Sequence, residues 1–238
     1  MRLLVVGAGA TGGYFGGRLA QAGRDVVFLV RGRRAEQLAR DGLRIVSPHG
    51  DAAIHPKVVT ADRVEGPFDA VLLTVKAFAL EAAVKDVAPA VGPATMIVPV
   101  LNGMRHLDVL TAQFGADAVL GGVCIVATTL DNDGSIVQLA PMQELAYGER
   151  DGTLSPRVER LHAAIAGAGF TARASSTIMQ EMWEKWVFLA SLGGITCLLR
   201  GTVGDIEAVP GGADLALRLL RECAEVARAS GFAPREDF

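Results

Sequence analysis

Near its start the chain reads Gly7-Ala8-Gly9-Ala10-Thr11-Gly12, directly after a short apolar run at residues 3–6. No other stretch narrows the choice of fold as much. Glycines at the first, third and sixth positions of a strand-to-helix bend have separate jobs. Gly7 permits a tight turn, Gly9 lets the backbone approach a pyrophosphate, and Gly12 lets helix and strand close on each other. The helix that follows then points its N-terminus at the phosphates, with free amides and the positive end of the dipole. The letters alone also fit a plain glycine-rich turn. Their position at the end of the first strand of a βαβ pattern is what favours a dinucleotide site, made by Gly7, Ala8, Gly9, Ala10, Thr11 and Gly12.

The pattern around this bend alternates short aliphatic runs with helical spacing. Strands are expected at residues 3–6, 25–30, 70–74, 96–100 and 118–122, and helices at 14–22, 34–41, 79–90 and 106–114. That order predicts an α/β fold, a doubly wound parallel sheet of the Rossmann type with helices on both faces. Further on, 123–129 and 135–139 flank Asp131-Asn132-Asp133-Gly134, a hairpin turn sequence, so an antiparallel edge is expected there. A helix at 157–168 and a last strand at 170–174 follow. After about residue 176 the strands stop, and two helical patterns at 177–199 and 212–230 are joined by 200–211. The expected division is a dinucleotide-binding Rossmann domain over 1–176 and a smaller all-helical domain over 177–238.

Charge and composition set limits on partners. A formal net charge of -3 gives no basic field of the kind nucleic acid or an anionic membrane requires, and a small molecule is the expected partner. No apolar segment nears the roughly 20 residues of a membrane span, so a cytoplasmic protein is expected. Cys124, Cys197 and Cys223 sit in apolar runs and read as buried reduced thiols. His49, His55, His106 and His162 show no metal-ligand spacing, and no metal is expected.

The end of the second strand selects among nucleotides. An NAD-binding unit places an acid there, on the ribose hydroxyls, as do FAD enzymes and many methyltransferases, but here the chain reads Val30-Arg31-Gly32-Arg33-Arg34. A carboxylate would repel a 2′-phosphate, whereas a guanidinium can grip one with two hydrogen bonds. Arg31 is therefore the expected phosphate ligand and NADP(H) the expected cofactor. Arg33 and Arg34 fit a solvated basic helix start as well as they fit a ligand role.

The glycine turn with Gly13, the Arg31 segment, Thr74-Val75-Lys76-Ala77-Phe78, Leu101-Asn102-Gly103-Met104 and Trp183-Glu184-Lys185-Trp186 together resemble the ketopantoate reductase family. The resemblance runs over nearly the whole chain. It implies NADPH-dependent reduction of a small 2-oxo acid such as 2-dehydropantoate to the 2-hydroxy acid, a step of pantothenate and coenzyme A biosynthesis. It implies cofactor contacts for Lys76 and Asn102 and makes Lys185 the catalytic proton donor, with Asn102 beside the reacting carbonyl. Each also has a plainer reading: Lys76 as a helix-start lysine, Asn102 as a turn former, and Lys185 as half of an i, i+4 surface pair with Glu181.

Two departures from the family stand out. Positions 185, 189, 193 and 196 share a helix face, and where the family has asparagines this chain has Leu189 and Gly193, leaving Thr196 as the matching polar residue for substrate. A more apolar pocket is expected. The sequence also stops at Phe238, short of further helices the family carries, which reads as a partial product or as a wall supplied by another copy, for instance in a homodimer. These departures keep two alternatives open: a non-catalytic NADP(H)-binding or redox-sensing protein, and an NADP-dependent 3-hydroxy acid dehydrogenase.

Overall fold

The computed structural model describes residues 1–238 and divides into two compact units. The first comprises Met1–Leu101 and Arg105–Ile178, and the second Asn102–Met104 and Met179–Phe238.

The first unit is built on a five-stranded, wholly parallel sheet. Its strands are β1 (Arg2–Val6), β2 (Asp25–Leu29), β5 (Lys57–Val59), β6 (Ala70–Leu73) and β7 (Met96–Pro99), in the order β5-β2-β1-β6-β7. In chain order this is 3-2-1-4-5, so the direction of winding reverses between β1 and β6, where open α/β sheets bind ligands at the carboxyl ends of their strands. Sheets covered on both faces need continuous apolar strands, and β6 (Ala-Val-Leu-Leu) and β7 (Met-Ile-Val-Pro) are buried at every position.

A second sheet has the order β10-β9-β3-β4, with β8 paired to β9. It is made of β3 (Leu43–Val46), β4 (Ala52–Ile54), β8 (Gly121–Leu130), β9 (Ile136–Gly148) and β10 (Thr171–Ala174). β8 and β9 form the antiparallel hairpin over Asp131–Gly134 with a register shift between Val126 and Thr128. The first residues of β9 pair with β3, and its last with β10.

Helix α1 (Ala10–Gln21) lies between the two sheets, and this explains its composition. Glycine costs a helix interior about 1 kcal/mol relative to alanine, yet Gly12, Gly13, Gly16 and Gly17 all occur in α1. Added Cβ atoms would come within 2.7 Å of the Phe28 ring at Gly16, on the parallel sheet, and within 2.3 Å of Ile136 at Gly13 and 2.8 Å of Ile45 at Gly17, on the second sheet. The helix is thin because it is a filling. Its larger residues Tyr14, Phe15 and Leu19 join a core with Phe28, Leu43, Ile45, Ile136, Leu145 and Tyr147. The remaining helices α2 (Gly32–Asp41), α3 (Leu80–Val87), α4 (Arg105–Phe114) and α5 (Pro156–Ile165) complete this unit.

Several expectations are corrected here. Residues 118–122 do not form a fifth parallel strand. The Leu120 amide donates to the Ile97 carbonyl (2.9 Å) and Val119 bridges Ile97, but the chain then leaves the sheet and Gly121 opens β8. The fifth strand is instead β5, and β3, β4 and β5, each of three or four residues, were not expected from the sequence. Cys124 and Cys223 are buried, but Cys197, in the last turn of the helix Ile178–Leu199, is exposed.

The second unit is helical: α6 (Ile178–Leu199), the short α7 (Val203–Glu207) and α8 (Gly212–Ala229). Helix α7 falls in the expected connector and starts at a capping box, with Thr202 and Asp205 exchanging side chain to backbone hydrogen bonds. Val187 of α6 packs on Cys223 and Ala227 of α8, with Trp183, Trp186 and Leu219 around them. The chain after α8 returns to α6: Phe232 stacks on Trp183 at 6.0 Å, and Arg235 forms an ion pair with the buried Glu184. No helix is long and apolar enough to cross a membrane.

Candidate functional site

The glycine bend follows β1 with the geometry the motif requires. Gly7 has φ +96, a conformation L side chains rarely adopt, and its amide donates to the Leu29 carbonyl of β2 at 2.9 Å. Helix α1 then begins at Gly9, whose side of the bend is open: a Cβ built there meets nothing within 4 Å. No side chain caps this helix end and no acid stands in its first turn. The first amides and the helix dipole are therefore available to an anion.

Gly12 is explained by a residue whose role the sequence reading left unassigned. The Thr74 hydroxyl, just past β6, donates to the carbonyl of Val6 at 2.7 Å and also lies 3.2 Å from that of Gly7. A Cβ on Gly12 would fall 2.1 Å from that hydroxyl oxygen and 2.2 Å from the Gly7 carbonyl oxygen. Thr74 thus stitches the ends of β1 and β6 together across the switch point and leaves room only for hydrogen at residue 12. A hydroxyl two residues before Lys76, at a strand end, was the available signal.

The three arginines after β2 separate by role. Arg34 is half-buried and structural: its Nε donates to the Ala8 carbonyl (3.0 Å), Nη1 to Gln37 Oε1 (2.8 Å), and both Nη atoms lie 3.3 Å from the Gly134 carbonyl of the hairpin turn. It braces the glycine bend from behind. Arg31, at the N-cap of α2, and Arg33 are exposed, and the Arg31 guanidinium is committed to no partner. Lys76 is also exposed, at the N-cap of a single turn, Ala77–Ala79. Gly7, Gly9, Gly12, Arg31 and Lys76 all stand beyond the carboxyl ends of adjacent parallel strands, on one edge of the sheet.

Asn102, exposed and followed by Gly103 at φ +90, lies just past β7 and is grouped with the helical unit. Lys185 lies midway along α6 and is partly buried; the neighbouring Glu184 is buried. Two charge-assisted contacts from Arg235 reach Glu184, Nε at 2.9 Å and Nη2 at 2.5 Å, together with the Arg235 amide at 3.0 Å and Gln180 Nε2 at 2.9 Å. Burial pushes the Glu184 carboxyl up, but these hydrogen bonds outweigh it and hold the group below the ordinary carboxylate value. The pairing was not legible in the sequence, since its partners are far apart along the chain. Thr196 spends its hydroxyl hydrogen on the Leu192 carbonyl at 2.7 Å, so it can offer a ligand only lone pairs.

A dinucleotide cradle of this kind occurs in many oxidoreductases, and comparison with known proteins assigns the lineage. The family described as "Ketopantoate reductase PanE/ApbA" matches residues 3–152, and its counterpart "Ketopantoate reductase PanE/ApbA C terminal" matches residues 177–238. The chain belongs to the ketopantoate reductase family. It is 39% identical over 231 residues to the uncharacterized oxidoreductase YkpB of Bacillus subtilis, a match covering 97% of this chain and 76% of that protein. The 2-dehydropantoate 2-reductase of Mesorhizobium japonicum is 28% identical over 253 residues, with 97% and 77% covered. Among solved structures, 2-dehydropantoate 2-reductase from Geobacter metallireducens superposes with a TM-score of 0.88 at 31% identity, covering 98% of this chain and 77% of its own. The chain is thus an oxidoreductase of this family with a Rossmann-type sheet and a helical C-terminal region.

Proposed function

We propose that this protein reduces a small 2-oxo acid, the class to which 2-dehydropantoate belongs, to the 2-hydroxy acid at the expense of NADPH. The cofactor is NADP(H). The observation that carries the reading is the combination at the sheet edge: an uncapped, acid-free helix start behind Gly9, and an uncommitted Arg31 where NAD-binding units carry an acid. Relatives named 2-dehydropantoate 2-reductase over almost the full length of this chain support the choice of reaction.

The residues divide the work. Gly7, Ala8, Gly9, Ala10, Thr11 and Gly12 form the bend that holds the pyrophosphate, Gly7 by its turn and the residues at the helix start by their free amides, and Arg31 grips the 2′-phosphate with charge-assisted hydrogen bonds. Lys76 supplies a further cation at the carboxyl edge of the sheet. Bound NADPH supplies the hydride. Charge then develops on the substrate's ketone oxygen, and the Lys185 ammonium stabilises it and delivers the proton, while the Asn102 amide orients the carbonyl.

The test is NADPH consumption, followed at its absorbance band, against a panel of 2-oxo acids. Turnover of at least one of them is the expected result. NADPH binding with no turnover of any would refute the reductase assignment.

A further inference from the structure

Helix α6 is apolar nearly all round, and only one side of it is used for packing on α8. Trp183, Trp186, Val187 and Ala190 join the cluster with Cys223 and Ala227. A second apolar stripe lies outside that cluster: Phe188, Leu189, Leu192 and Gly193. These are three, four, seven and eight residues beyond Lys185, the positions that share its face. Phe188 is 53% exposed, and a Cβ added to Gly193 would meet nothing within 4 Å. A helix that is apolar on its outward side as well has something to cover there.

Polar groups along this part of α6 have no hydrogen left to offer. The Ser191 hydroxyl is used by the Val187 carbonyl (2.8 Å) and lies 3.0 Å from that of Phe188, and the Thr196 hydroxyl by that of Leu192 (2.7 Å). Thr196 is moreover eleven residues past Lys185, about 16 Å along a helix, beyond the reach of a small acid held at the lysine. On the other side of Lys185, one turn back, stands Glu181. A carboxylate loses hydration when an apolar group is laid against it, so the apolar body of a 2-oxo acid held at Lys185 extends the other way, along Leu189.

Resting on the reductase reading above, we propose that this protein selects 2-oxo acids with wholly apolar side chains over those bearing a side-chain hydroxyl, the apolar group seating on Phe188, Leu189, Leu192 and Gly193. A hydroxyl buried against that stripe loses its water and gains no partner. Discrimination of this kind is worth about tenfold or more.

The test uses two ketones that differ by that one hydroxyl, 3,3-dimethyl-2-oxobutanoate and 2-dehydropantoate, with kcat/KM measured for each in the NADPH reaction. The expected result is at least about a tenfold preference for the deoxy compound. Leu189→Asn should shrink that ratio about tenfold, and Gly193→Asn, entering open space, should move it in the same direction. Equal or better turnover of 2-dehydropantoate by the unaltered protein overturns the proposal. So does a Leu189→Asn variant that changes the oligomeric state and leaves the ratio as it was, since the stripe would then be a contact between copies. No turnover of either ketone, with NADPH still bound, overturns instead the reductase reading beneath it.

Discussion

The two units of this protein reach definite structures by different means. In the first, position is set by close approach of backbone: α1 is pressed between two sheets, glycine by glycine, and the Thr74 hydroxyl fills the last gap. In the second, the buried cluster of Val187, Cys223 and Ala227 is small, and long-range tethers add to it, the Glu184–Arg235 pair and the Trp183–Phe232 stack. The lesson is that a cradle for a charged dinucleotide is built by excluding side chains, whereas α6, the helix on which we propose the proton donor sits, is held by a few specific polar and aromatic contacts. The first kind of site tolerates almost no added atoms. The second tolerates conservative changes but responds to pH.

Substitutions on both sides test that contrast. The largest effect is expected at Lys185, where replacement with alanine lowers kcat about a hundredfold or more, as loss of a general acid does, while calorimetry finds the NADPH affinity unchanged. A drop in NADPH affinity with kcat preserved would move Lys185 out of catalysis. In the first unit, Gly12→Ala places a Cβ against the Gly7 carbonyl oxygen, and backbone cannot step aside as a side chain can. We expect about 1–3 kcal/mol of lost stability in a denaturant titration, the usual penalty for overpacking. An unchanged midpoint would show that the sandwich is looser than described.

How much of this was legible in the sequence follows the same division. The bend at Gly7–Gly12 and the strands β1, β2, β6 and β7 could be read directly, because continuous apolar runs and a glycine triplet are local signals. The other glycines of α1 gave no such signal, since Gly13 and Gly17 answer to Ile136 and Ile45, far along the chain. Strands β3 to β5 escaped because three- or four-residue strands have little room for a period to show. Residues 118–122 misled in the opposite sense: a good apolar run makes one ladder bond to Ile97 and then crosses to the other sheet. Among the arginines the letters singled out Arg31 and left Arg33 and Arg34 open between ligand and solvated helix start, with no sign of a brace. Arg34 is used up on Ala8 and Gly134, while Arg31 is left outward and uncommitted.

A smaller effect is expected at the tether. Glu184 is held below the ordinary carboxylate value near 4.5 by Arg235 and Gln180. A carboxyl depressed in the folded state contributes stability that is fully present above its unfolded pKa and is lost as pH falls through the folded one. The melting temperature of the unaltered protein should therefore fall below about pH 4.5 more steeply than that of Glu184→Gln, and the two curves should converge in acid. At neutral pH the variant should be less stable by about 1 kcal/mol, because Arg235 is half exposed and can return to water. Parallel curves across the whole range would remove the ion pair from the account.

The central claim is that a 2′-phosphorylated dinucleotide lies along the open side of the glycine bend with Arg31 on its phosphate. Calorimetric titration of the protein with NADPH and with NADH, repeated on Arg31→Ala, tests it most directly. The account predicts tighter binding of NADPH, a loss of about 1.5–3 kcal/mol for that cofactor in the variant, and almost no change for NADH. Equal losses for both cofactors, or no heat from either, would contradict it.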